Sequence, residues 1–115
     1  MTDATPSPVP SPRPIRRALG AVLLVNAVPH GVAGVQGRPF PSPFSEEPGV
    51  SPSSPAANVA WSAVNAVGGL WMLRGGARTR RERVAVGVGA VAMAFVLASW
   101  FGGVDERSRP GARRR

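Results

Sequence analysis

The sequence predicts an all-α integral membrane protein: three transmembrane helices in a small bundle, with disordered Pro-rich and Arg-rich tails. Three apolar blocks of near-spanning length carry this reading, at residues 18–37, 56–73 and 84–104. Arginines cluster just outside the blocks, as membrane topology requires. Tryptophans lie near block ends, with Trp61 and Trp71 toward the two ends of the second and Trp100 near the end of the third. Soluble helices of this length show a charged face, and none of the three blocks does.

Composition narrows the classes further. The chain has 115 residues, room for one small domain, with 14 glycines, 13 prolines and no cysteine. Disulfides, thiolate metal sites and cysteine nucleophiles are thereby excluded. All fourteen basic residues are arginine, against six carboxylates. Arg, Ala, Gly, Pro and Val share GC-rich codons, so the bias points to a GC-rich bacterial genome. A net charge of +8 raises nucleic acid as a partner. The arginines, however, follow no helix face, and no zinc-finger, aromatic RNA-binding or basic-zipper spacing accompanies them.

Residues 1–17 read as a disordered tail, because proline every two or three positions blocks helix and sheet alike. The first block, 18–37, is long enough to span but is weakened by Asn26, Pro29, His30, Gln36 and its glycines. It also admits a rival reading as a cleaved signal peptide, with Arg13, Arg16 and Arg17 as the basic region; no clean small-residue cleavage site follows. Residues 38–55 form a Pro-rich loop in which Pro39, Pro41 and Pro43 stop the helix. There Phe40, Pro41, Pro43 and Phe44 are expected at the membrane interface, the two rings resting on the bilayer surface or capping the bundle.

The second block, 56–73, is near the minimum for crossing, and residues 74–83 form an Arg-rich loop. The third block, 84–104, has no ionisable residue and is the clearest span; residues 105–115 make a basic tail. The positive-inside rule places the N-terminus and the 74–83 loop in the cytoplasm and the 38–55 loop outside. The C-terminal tail conflicts, since three spans send its five arginines outward.

Polar residues inside the blocks fall on faces. Asn26 and His30 are four apart, with Gly34 continuing that face, and Asn58, Ser62, Asn65 and Gly69 form one stripe on the second block. The third block offers Ala90, Ala94, Ala98 and Gly102, a small residue every four positions. Such stripes let backbones approach and let amides and imidazole bond across seams. Asn26, His30, Asn58, Ser62 and Asn65 are therefore the candidate polar seam or ligand site. Pro29 is expected to kink the first helix beside His30.

No catalytic constellation is visible, and neither cofactor nor metal is expected. One histidine without cysteine or a nearby carboxylate gives no zinc spacing and no triad. "GVAGVQG" lies within an apolar helix and lacks the downstream acidic residue of a dinucleotide fingerprint.

The segment "NAVPHGVAGVQGRPFPSPF", Asn26 to Phe44, resembles a family of small, functionally uncharacterised bacterial multi-pass membrane proteins. That family carries Asn-x-x-Pro-His, a glycine-rich turn and Phe-Pro-Ser/Thr-Pro-Phe, followed by Asn-x-x-Trp in the next helix, here Asn58 and Trp61. The likeness covers roughly Asn26 to Leu73 and implies an integral membrane protein without assigned catalytic residues. The expectation is a structural or accessory protein of the bacterial inner membrane, N-terminus cytoplasmic, acting through helix–helix contacts. Its partners would be the lipid bilayer and a second copy or another membrane protein. The alternative is a small-ligand, metal or proton-handling protein using His30.

Overall fold

Proline and glycine placement sets the limits of each helix. In the computed structural model, which describes residues 12–108, the elements are α1 (Arg13–Val35), β1 (Phe40–Pro41), β2 (Pro52–Ser53), α2 (Pro55–Leu73) and α3 (Arg80–Ser108). The tail expectations for residues 1–11 and 109–115 lie outside the described residues.

Several helix boundaries differ from the sequence expectation for a local reason. α1 begins at Arg13, so part of the expected 1–17 tail is helical; Pro14 sits in the first turn, where its missing N–H costs nothing. Its end comes at Val35, not at residue 37, because Gly37 adopts φ +68°. The Gly37 N–H then reaches the Gly34 carbonyl and the Arg38 N–H reaches that of Ala33, closing the last turn. α2 opens with Ser54 as N-cap, its hydroxyl accepting from the Ala57 N–H, and Pro55 follows in the first turn. α3 starts at Arg80, inside the expected 74–83 loop, because Thr79 and Glu82 form a reciprocal cap. The Thr79 hydroxyl accepts from the Glu82 N–H at 3.1 Å, and the Glu82 carboxylate accepts from the Thr79 N–H at 2.8 Å.

The fold is mostly helical, with one short ladder added to the three helices. β1 and β2 pair antiparallel, Phe40 opposite Ser53 and Pro41 opposite Pro52, which closes residues 38–54 into a strap over one end of the helices. The alternating prolines hold the strap extended, and proline is tolerated in so short a two-stranded ladder because both strands are edges.

α1 is the central helix. It packs along α2 on one side and α3 on the other, while α2 and α3 make no comparable contact with each other. The expected bundle is therefore open, a layer with α1 in the middle. Along the antiparallel α1–α2 seam, Arg17 faces Met72, Asn26 faces Asn65 and His30 faces Asn58, so the pairing runs the full length of both helices. The backbones touch where Gly20 meets Gly69: a Cβ on Gly69 would lie 2.8 Å from the Gly20 carbonyl oxygen. On the other side Gly89 of α3 lies against Ala18, and a Cβ there would come within 2.5 Å of the Ala18 carbonyl oxygen.

The interior is small and polar, and the exterior is large and apolar. Ala21, Ala27 and Ala33 are the buried hydrophobic residues, accompanied by Arg17, His30, Asn58, Asn65 and Glu82. Val28, Val67, Leu70, Val91 and Phe95 face outward, Phe95 with 71% of its surface exposed. That is the reverse of a water-soluble domain. Two helices, Arg13–Val35 and Arg80–Gly103, are long and apolar enough to cross a membrane. The span expected at 56–73 is not among them, because Asn58 and Asn65 lower the apolarity of α2.

The small-residue stripe of α3 does not form the expected seam. Ala90 is half-buried, but Ala94, Ala98 and Gly102 are exposed. The packed face of α3 instead carries Glu82, Ala85, Gly89, Met93, Leu97 and Phe101, stepping at helical spacing toward α1 and the strap.

Candidate functional site

The end of the molecule under the strap brings together His30, Asn58 and a set of aromatic rings. His30 is 3% exposed and Asn58 fully buried. The His30 Nδ1 lies 2.8 Å from the Asn58 Oδ1. The Asn58 amide nitrogen points the other way, donating to the Phe40 carbonyl at 2.8 Å and to the Ser54 carbonyl at 3.1 Å. Turning that amide over would set its oxygen against carbonyl oxygens. The network therefore assigns Oδ1 to the histidine, and the histidine must carry its proton on Nδ1 to donate. Asn58 thus joins three elements: α2 that carries it, α1 through His30, and β1 through Phe40.

Aromatic edges surround the imidazole. Phe40, Trp61 and Phe101 lie at ring-centroid distances of 5.3, 6.5 and 6.2 Å, each nearly perpendicular to it. Phe40 also packs on Phe101 at 4.6 Å, so the first strap phenylalanine caps the helices. Phe44 is 69% exposed and touches only the edge of Trp61 among the rings, leaving it at the surface. Pro41 lies in β1 and Pro43 in the turn that follows. Ser42 and Ser53 share a short hydroxyl–hydroxyl hydrogen bond that closes the strap, and the Trp100 indole N–H donates to the Gly49 carbonyl at 2.8 Å, tying it to α3.

The remaining seam residues lie deeper along α1 and α2. The Asn26 amide donates to the Asn65 Oδ1 at 3.0 Å, and the Asn65 amide donates to the Trp61 carbonyl one turn back. The Ser62 hydroxyl donates to the Ala27 carbonyl at 2.7 Å, two residues before Pro29. Despite Pro29, α1 is continuous through Val35. Asn26 and Asn65 therefore pair with each other, while the partner of His30 is Asn58. Asn26 and His30 meet again as walls of a cavity of about 200 Å³ between α1, α3 and the strap.

The opposite end is built of arginines. Arg17 donates to the Met72 carbonyl at 2.6 Å and Arg16 to the Trp71 carbonyl at 3.2 Å, so two α1 guanidiniums cap the C-terminus of α2. Trp71 lies within cation–π distance of Arg16 and Arg74, at 5.1 and 4.3 Å. Arg17 also faces the buried Glu82 at 3.6 Å, an ion pair without a hydrogen bond. Arg74, Arg78, Arg80, Arg81 and Arg83 fall at this same end, around the α2–α3 turn.

The sequence reading missed the Glu82 cap, although Thr79-x-x-Glu82 is a visible capping signature. It also missed Met93, Leu97 and Phe101 as walls of the His30 cavity, because only the crossing of α3 over α1 brings them there. Among the described residues no group of three or more potential metal ligands gathers. No family model, curated protein or solved structure matches this chain.

Proposed function

We propose that this chain is a three-span protein of the bacterial inner membrane that acts as a structural or accessory partner through helix–helix contacts. The observation that carries this is α3. Only 6% of its most apolar window is buried, and the side turned away from α1 offers Ala94, Ala98 and Gly102 beside Val91 and Phe95. Small residues flanked by large apolar ones are the surface on which a second membrane helix packs closely.

α2 crosses with α1 in this reading. It is bonded to α1 from Arg17 to His30, and both of its asparagines are satisfied in the seam, so neither meets lipid. The arginine-rich end lies in the cytoplasm and the strap outside, by the positive-inside rule.

Photo-crosslinking from α3 tests the proposal. A benzophenone side chain replacing Ala98 in native membranes should yield one discrete protein adduct, its mass distinguishing a second 11.9 kDa copy from a different chain. The same probe at Val64, on the exposed face of α2, should yield none. Lipid adducts alone from both positions would contradict the proposal. A second reading, a small-ligand, metal or proton-handling site, is favoured by one arrangement: His30 is among the walls of the cavity between α1, α3 and the strap.

A further inference from the structure

The arginine-rich end carries a second feature besides the caps on α2: a groove of about 620 Å³ between the start of α1 and the start of α3. The crossing of the two helices creates it. Gly89 lies against the Ala18 backbone and Glu82 faces Arg17, so α3 rests on α1 along the line from 82 to 89. Arg81, Val84 and Val88 step at i, i+3 and i+7 along the edge of α3 beside that line. Ile15 and Ala18 form the facing edge of α1.

The groove changes chemistry along its length. Arg80 and Arg81 border it at the end nearest the α2–α3 turn. The walls farther in are aliphatic, and Ile15, Val84 and Val88 each keep more than half of their surface exposed. From Arg81 to Val88 the passage from charge to hydrocarbon takes roughly 10 Å of helix rise. Several arginines nearby are engaged within the fold. Arg16 and Arg17 bond the end of α2, Arg74 stacks on Trp71, and Arg78 and Arg83 donate to the Gly75 and Arg78 carbonyls. Arg80 and Arg81 make no hydrogen bond or ion pair among the described residues.

The two halves of the groove call for one amphipathic occupant. A free phosphate would use the arginines and leave the aliphatic walls uncovered, and a neutral lipid would do the opposite. A phospholipid with an anionic headgroup answers both, and in the right order: Arg80 opens the apolar segment Arg80–Gly103, so its guanidinium falls at headgroup level. Guanidinium forks also match phosphate oxygens in bidentate fashion.

We infer that this groove binds one anionic phospholipid, its phosphate on Arg80 and Arg81 and an acyl chain along Ile15, Ala18, Val84 and Val88. Binding is non-covalent. The inference rests on the membrane reading of α1 and α3, and is independent of the helix partner proposed around Ala98.

Native mass spectrometry of the full chain in detergent tests it, with titration by phosphatidylglycerol or by phosphatidylcholine of the same acyl chains. One phosphatidylglycerol should be held about tenfold more tightly than phosphatidylcholine. Arg80→Gln combined with Arg81→Gln should weaken it about tenfold. Arg78→Gln combined with Arg83→Gln removes the same charge from the same end and should leave the affinity unchanged. Excess glycerol phosphate, the headgroup anion without chains, should not displace the lipid. A diazirine on the acyl chain should crosslink within residues 15–18 and 84–88. Equal retention of the two lipids, equal losses in both double variants, displacement by glycerol phosphate, or crosslinks confined to other segments would each overturn the inference. Carbonate extraction separates the two levels of failure. A chain that stays with the membrane yet fails these tests contradicts the lipid site alone, whereas a chain released into carbonate contradicts the membrane reading with it.

Discussion

At the scale of single residues, Asn58 carries more of the structure than its place in an apolar block suggests. A side chain with an acceptor on one side and donors on the other serves His30 and the strap together. Replacing it with leucine removes both sets of bonds and leaves the Phe40 carbonyl without that donor. Asn58→Leu should therefore cost about 1–2 kcal/mol and loosen the strap, measured by denaturant unfolding in detergent and by protease cleavage within residues 45–50. His30→Leu should cost about 1 kcal/mol, while His30→Gln should retain most of the stability, because an amide still bonds across the seam. The double substitution should cost less than the sum of the two, since both remove one shared bond. Additive losses would show that the 2.8 Å contact contributes nothing.

At the scale of elements, close approach and capping place α3. Gly89 and Gly87 sit two residues apart on the same helix, yet a Cβ at 89 would strike the Ala18 backbone and one at 87 would meet nothing within 4 Å. Gly89→Leu should separate α3 from α1 and lower the unfolding midpoint, whereas Gly87→Leu should leave it unchanged or slightly raised, since glycine is a poor helix former. Thr79→Ala should cost about 1 kcal/mol and fray the first turn of α3, seen as faster amide hydrogen exchange at residues 80–83. The sequence made the helices and the polar stripes of α1 and α2 legible, because buried amides at helical spacing have one economical solution. It misled on the stripe of α3. Small residues recur there on two faces, Gly89 with Ala85 and Ala94 with Ala98, and only the crossing with α1 selects the first. The strap ladder was illegible for a different reason. Pairing Phe40 with Ser53 is a long-range event, and alternating prolines signal extension without naming a partner.

At the scale of the whole molecule, the two ends differ in chemistry. One gathers the α1 and α2–α3 arginines around Glu82, with Trp71 between guanidiniums; the other is the strap with Glu46 and Glu47 over an aromatic cage. The polar interior and apolar exterior lie between them. A chain organised this way suits a bilayer better than water, and the proposed orientation puts the arginines on the cytoplasmic side. The absence of native cysteine gives a direct test. Single cysteines replacing Glu46 in the strap and Ala77 in the α2–α3 turn would be exposed to a membrane-impermeant thiol reagent on intact cells. The account predicts labelling at 46 and protection at 77, with 77 labelled once the membrane is opened. Labelling of both positions on intact cells, or of 77 with protection of 46, would contradict it.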